Sequence, residues 1–171
     1  LFYHHNDLSP EFDKNRSIRI DSLFFNDDGT IQKVIPTVRG VGITDASSEI
    51  QVDRYSLISN EGAFIVFIDT LNKFEGWKTI LDNGWIQYNS VDFVNNEFKS
   101  VYVKASSKTG GTLQIRLNKG DGPLIAEIEI PESTDWDIIK SPLSELESGI
   151  HNLVLYSNEN SRVEIDWIRF E

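Results

Sequence analysis

The sequence predicts an all-β protein, a β-sandwich of jelly-roll type preceded by an N-terminal β-hairpin. Three observations lead there. Short runs rich in Val, Ile, Phe, Tyr and Trp recur through residues 50–170, set apart by Gly, Asn, Asp and Pro clusters at the roughly 8–12 residue spacing of a sandwich. No stretch sustains a helical period. The composition, 39% hydrophobic and 11% aromatic, belongs to a chain that can fill a core.

Taken in order, LFYHH at residues 1–5 reads as the middle of a strand, which suggests the C-terminal part of something longer. Ser17 to Asn26, SIRIDSLFFN, starts with polar and apolar residues in alternation and runs into the turn signal Asp27-Asp28-Gly29. Thr30 to Thr37, TIQKVIPT, alternates again, so the pair predicts a hairpin whose second strand ends at Pro36. VRGVGITDASS at 38–48 is small, polar and glycine-containing, which suits a connection. This places a boundary near residue 45, with units 1–45 and 46–171. Strands are then expected at 50–58, 63–69, 84–93, 98–106, 112–118, 124–130, 151–157 and 162–170. A unit of roughly 125 residues holds a two-layer core without staples.

Charge and composition narrow the partners. A formal net charge of −11 without any Lys/Arg block disfavours nucleic acid and anionic membrane surfaces and leaves a neutral ligand or a cation. The absence of cysteine excludes disulfides, thiolate metal sites and thiol catalysis. No apolar run approaches the ~20 residues of a membrane span. The chain is expected to be a soluble monomer.

No self-contained catalytic pattern stands out. The 27 acidic residues are scattered, and HExxH, Walker-type and GxSxG patterns are absent. His4 and His5 are neighbours, so in a strand they face opposite sides and read as ordinary strand-end histidines. Gln51 and Asp53 share one strand face in IQVDRY, and Asp166 lies on the last strand, which pairs beside the first in many sandwiches. The three are either solvated polar groups or oxygen ligands for a structural calcium.

The four tryptophans divide by context. Trp85 in GWIQY and Trp167 in EIDWIRF sit in alternating strand patterns and are expected to fill the core. Trp77 in FEGWKT and Trp136 in STDWDI sit among polar neighbours in segments that read as loops, where an open ring suits a ligand. A pyranose offers flat C–H faces and a rim of hydroxyls, so aromatic plates beside polar groups are the side chains it needs.

Residues 1–44, LFYHHNDLSPEFDKNRSIRIDSLFFNDDGTIQKVIPTVRGVGIT, resemble the end of a glycoside hydrolase family 43 catalytic domain, a five-bladed β-propeller of the arabinofuranosidase and xylosidase type. Residues 50–171 resemble a carbohydrate-binding module of family 6 through IQVDRYS, GWIQYNSVDF, GGTLQIRL and VEIDWIRF. The resemblance implies that the catalytic carboxylates lie upstream of Leu1 and that His4 matches a histidine near the propeller centre. It implies a structural calcium at Gln51, Asp53 and Asp166, which stand where the family has an EAEDY-like motif and a final-strand acid. It also implies a loop cleft holding a sugar between Trp136 and Trp77, with Phe74 as the second candidate for the latter ring. Glu164 takes the place of the family's asparagine, and NGW at Asn83, Gly84 and Trp85 that of its GDW motif.

Three functions follow as expectations. The first is a secreted, non-catalytic module that holds an appended glycoside hydrolase on xylan or arabinoxylan. The second is the C-terminal part of an arabinofuranosidase or xylosidase that hydrolyses O-glycosyl bonds. The third is a β-sandwich that binds proteins, with Trp77 and Trp136 as interface anchors.

Overall fold

The computed structural model describes residues 1–5, 17–70, 73–94 and 97–171, without the side chains of His5, Ser17, 68–70 and 73–75. The described chain divides into two compact units, Leu1–Gly42 and Ile43–Glu171.

In the first unit β1 (Phe2–His5) pairs antiparallel with β2 (Ser17–Ile20). This corrects the expected hairpin: residues 17–20 pair upstream, and only a Phe25–Ile31 bridge closes over the Asp27–Gly29 turn. The reason is local. Asp28 accepts from the Thr30 amide at 2.9 Å, so the turn forms, but Pro36 and the exposed Ile31 and Ile35 carry no ladder beyond it. Asp21 is buried and accepts hydrogen bonds from the Tyr3 hydroxyl and from the Thr37 amide and hydroxyl, the last two at 3.0 and 2.6 Å.

The second unit is a sandwich of two six-stranded sheets. The first contains β3 (Thr44–Asp45), β5 (Leu57–Ile58), β8 (Trp85–Asp92), β10 (Gly111–Leu117), β11 (Leu124–Ile130) and β13 (Ile150–Ser157), in the order β11-β10-β13-β8-β3 with β5 also on β8. The second contains β4 (Ile50–Gln51), β6 (Ala63–Thr70), β7 (Lys73–Asp82), β9 (Ser100–Ser107), β12 (Ser133–Pro142) and β14 (Arg162–Phe170), in the order β12-β9-β14-β7-β6 with β4 also on β14. Alternation decides which face each residue takes. In β10, Leu113, Ile115 and Leu117 are buried while Thr112, Gln114 and Arg116 are only partly covered. The inward rows, including Ile86, Leu153 and Leu155 from one sheet and Leu81, Val103, Ile165 and Ile168 from the other, form one core. Phe93, Phe98 and Phe170 close one end, with ring centroids 4.9 Å apart for Phe93 and Phe170 and 5.5 Å for Phe93 and Phe98. Each such side chain contributes about 1.5–3 kcal/mol by leaving water.

Two strands read as loops in the sequence are β7 and β12. In β7 the glycine Gly76, at φ 103°, and a register shift opposite Phe67–Asp69 break the two-residue period. In β12 the register jumps between Ser133 and Asp137, and most of this edge strand is solvent-facing. Trp77 and Trp136 are therefore strand residues, the second inside a bulge.

Candidate functional site

The outer face of the first sheet is built by cross-strand register. Gln114 stands opposite both Glu127 and Tyr156, and Tyr156 stands opposite Trp85, so one transverse row runs Glu127–Gln114–Tyr156–Trp85. The next row runs Arg116–Val154–Gln87–Leu57. Together with Gly120 and Asn158, the residues Trp85, Gln114, Arg116, Val154 and Tyr156 line an open cleft of about 360 Å³. Two partly exposed aromatic residues, Trp85 and Tyr156, stand opposite each other in the register and line the cleft with amides and a guanidinium. That arrangement offers apolar plates and hydrogen-bonding groups on one surface.

The backbone holds this platform in place. The Trp85 amide donates to Ser59 Oγ at 3.0 Å and the Ser59 amide returns to the Trp85 carbonyl at 2.9 Å. On the other side the Ser157 amide donates to the Gly84 carbonyl at 3.1 Å, and the Asn83 amide to Ser157 Oγ at 3.1 Å. Gly84 has no alternative, since a Cβ there would lie 2.3 Å from the Gly62 carbonyl group. Across the cleft Arg116 donates through Nε and Nη2 to Gln114 Oε1 at 3.3 and 3.1 Å, and through Nη1 to the Gly122 carbonyl at 3.0 Å. Gly122 is fixed in turn, because a Cβ there would meet the Leu117 carbonyl oxygen at 1.9 Å.

This corrects the expected core role of Trp85. The ring is half-buried on the sheet's outer face, and Ile86 beside it fills the core. Trp167, by contrast, is buried as expected, 8% exposed, beside the main core cluster, with the Arg169 guanidinium 6.0 Å from its ring centroid. Sequence reasoning missed Tyr156, Gln114, Arg116 and Asn158. A signal existed for Trp85, since Trp85, Gln87 and Asn89 form the polar half of an alternating strand.

The residues expected at a loop cleft gather differently. Lys78 pairs with the Glu164 carboxylate, and its ammonium lies 5.9 Å from the Trp136 ring centroid, so β7, β14 and β12 bring Lys78, Glu164 and Trp136 together. Glu164 is a buried residue within β14, not a loop residue. Trp77 precedes Lys78 where the β6–β7 register is still regular, before the shift beyond Phe67, and points to the opposite face, where its ring packs on Phe67 at 5.1 Å between centroids. Phe74 lies in β7, but its side chain falls outside the described ones. His4 is exposed on β1, opposite Ile18; the His5 side chain also falls outside the described ones.

For the expected calcium, β4 pairs with β14 so that Gln51 faces Trp167, next in sequence to Asp166. Asp53 is buried, 5% exposed. Asp166, however, accepts the Lys104 ammonium at 2.8 Å, and among the described residues no three His, Cys, Asp or Glu side chains converge on one point. An ion there would have to share Asp166 with the Lys104 ammonium, which holds its Oδ2.

A sandwich with an aromatic and amide cleft on one sheet is a ligand-binding β-module. The profile of the carbohydrate binding module (family 6) matches residues 58–171, and the chain belongs to that family. An arabinoxylan arabinofuranohydrolase of Bacillus subtilis (strain 168) is 27% identical over 148 residues, covering 81% of this chain and 28% of the relative. The chain thus spans less than a third of that relative. Among solved structures, CsCBM6-3 from Clostridium stercorarium in complex with cellobiose matches 76% of this chain and 97% of its own, with 22% identity and a TM-score of 0.65. A glycoside hydrolase family 43 arabinoxylan arabinofuranohydrolase from Bacillus subtilis in complex with cellotetraose covers 99% of this chain, which covers 37% of it, with 19% identity and a TM-score of 0.68.

Proposed function

We propose that the chain is a carbohydrate-binding module that holds an appended glycoside hydrolase on xylan or arabinoxylan, and that the outer face of its first sheet is the sugar platform. The observation that carries this reading is the Tyr156–Trp85 pair, in one row with Gln114 over an open cleft. A pyranose laid on the two rings hides its C–H face from water, while Gln114, Gln87 and Asn158 meet its hydroxyls. Few contacts give modest affinity, and tethering raises the local concentration of polymer at a linked catalytic domain.

A second contact at Trp136 and Glu164 belongs to the proposal as a smaller site, and Trp77, on the other face of β7 and with Phe74 on the same strand, as a separate candidate plate. Calcium at Gln51, Asp53 and Asp166 is proposed as a structural ion, supported by the burial of Asp53. The polymers named for the relatives are too large to enter a cell, which supports a secreted protein. Oligosaccharide binding needs no second copy, so the module is proposed to act as a monomer.

The reading as the C-terminal part of a family 43 hydrolase is favoured by the structural match over 99% of the chain. The exposed Phe2, Ile18, Phe24 and Phe25 of the first unit support residues 1–45 as the end of a larger propeller. Titration calorimetry against xylan, arabinoxylan, cellulose and β-glucan oligosaccharides tests the module. Heat from xylan or arabinoxylan fragments supports it, and silence across the panel overturns it. Release of sugar from an arabinosyl chromogenic substrate by this chain alone would overturn the non-catalytic reading.

A further inference from the structure

Arg116 is the one ionised side chain among the described residues that line the sheet-face cleft. Its surroundings are unusual for an arginine in a chain of net charge −11. The guanidinium is held by two neutral acceptors, Gln114 Oε1 and the Gly122 carbonyl, which occupy three of its five N–H donors. Two donors are left over. The nearby charges do not cancel it directly. Glu127 is reached only through Gln114, whose Nε2 donates to its Oε2 at 2.7 Å, and Lys119 and Asp121 in the adjoining turn pair with each other at 3.3 Å.

The Gln114 amide is therefore fixed at both ends: its oxygen faces Arg116 and its nitrogen faces Glu127. This relay holds the guanidinium plane in place and keeps the acidic side chain one residue away. A neutral sugar needs only neutral donors, which Gln87 and Asn158 already supply. A pre-positioned guanidinium with spare donors is suited to a planar anion, and it binds a carboxylate more strongly than a hydroxyl.

We propose that the cleft selects glycans that carry a carboxylate, as a uronic acid residue or side group, and that Arg116 is the residue that determines this preference. The inference rests on the sheet face being the sugar platform. The carboxylate sits at Arg116 while a neighbouring ring lies on Tyr156 and Trp85, so charge and stacking act on different parts of one oligosaccharide.

The test is calorimetry on the full chain with three ligands: a neutral xylo-oligosaccharide, the same backbone bearing a glucuronic acid group, and that compound with its carboxyl reduced to the alcohol. The carboxylated ligand is expected to bind about tenfold tighter than its reduced form at low salt. That ratio should shrink toward unity as ionic strength rises and the charge is screened. In Arg116→Gln the ratio should fall to about one, and in Arg116→Lys it should be intermediate, because an ammonium lacks the fork. Trp85→Ala should weaken all three ligands. Equal binding of the carboxylated and reduced ligands by the wild-type chain overturns the inference and leaves the platform standing. Binding of none of the three overturns the platform itself. The wild-type comparison decides even if Arg116→Gln fails to fold.

Discussion

Tyr156 and Trp85 stand directly opposite each other on β13 and β8, and Ser157, next to Tyr156, is tied to the Asn83-Gly84 turn that precedes Trp85. The Tyr156 hydroxyl also reaches Asn83 Oδ1 at 3.4 Å. The backbone under both rings and the Tyr156 hydroxyl are thus held before any ligand arrives, which lowers the ordering cost for a sugar that lies there.

Removing either ring should cost binding without costing the fold, because neither belongs to the core cluster. Trp85→Ala and Tyr156→Ala are each expected to weaken oligosaccharide binding about tenfold or more, roughly 1.4 kcal/mol. Calorimetry measures the loss, and unchanged thermal unfolding confirms that the sandwich remains. Unaltered affinity in Trp85→Ala would refute the platform.

Gly84→Ala should act on the same platform from behind. A Cβ placed 2.3 Å from the Gly62 carbonyl and 2.8 Å from the Ala63 amide forces the β7–β8 turn away from β6. The expected cost is about 3 kcal/mol or more, read from chemical denaturation. Affinity for sugar should fall as well, since the displaced turn carries Trp85. A variant as stable as the wild type would show that the close approach is not needed.

The sandwich was legible in the sequence because its central strands alternate cleanly: Val101, Val103 and Ala105 in β9 are buried while Tyr102 and Lys104 are not. Strands β7 and β12 were not legible, because bulges and a glycine at positive φ interrupt their period where Trp77 and Trp136 sit. Trp85 in GWIQY reads as core because it sits in an alternating strand, although Gln87 and Asn89 mark its face as the outer one. Trp167 in EIDWIRF is buried, as its place in an alternating strand predicts. Arg116 and Tyr156 become a site only through pairing between strands 40 residues apart in sequence, as the register shows for Arg116 and Val154 next to it.

Lys78 links Glu164 to Trp136, and the pair is mostly buried, with side-chain exposures of 21% and 11%. Lys78→Ala leaves the Glu164 carboxylate without its ammonium and should destabilise the chain by about 2–4 kcal/mol. Replacing both, as Lys78→Met with Glu164→Gln, should recover part of that loss. Urea unfolding of Lys78→Met, Glu164→Gln and the double variant gives the coupling, and strict additivity would show that the pair does not interact.

Calcium should compete with Lys104 for Asp166. Adding the ion at about 100 times its dissociation constant is expected to stabilise the chain by about 2.7 kcal/mol, and a chelator should reverse this. Lys104→Met, which frees Asp166, should tighten the ion's binding. Differential scanning calorimetry with and without calcium reads both effects. A melting temperature that responds to neither calcium nor chelator, in the wild type and in Lys104→Met, would rule the ion out.

The Asp21 network of the first unit makes a pH prediction at each end of the scale. Burial raises the Asp21 pKa, but hydrogen bonds from the Thr37 side chain, Tyr3 and the Thr37 amide, together with the Arg19 charge, outweigh it and leave the pKa below its usual 3.8. A carboxylate with a depressed folded pKa stabilises fully above its unfolded pKa and loses that contribution as pH falls through the folded one. Tyr3 is shifted the other way: burial, the hydrogen bond to Asp21 and the Asp21 charge push it up from 10.0 to about 12. Its contribution is therefore whole below pH 10.0 and lost as pH rises through about 12. Amide exchange at Thr37, corrected for the intrinsic rate, should stay protected at neutral pH and open at both extremes, and Asp21→Asn should abolish the acid limb. In Tyr3→Phe the last phenolate to form in an absorbance titration should be missing. A Thr37 amide whose protection is the same at about pH 2 as at about pH 6 would break the proposed linkage, because the carboxylate that holds it would then be irrelevant to its opening.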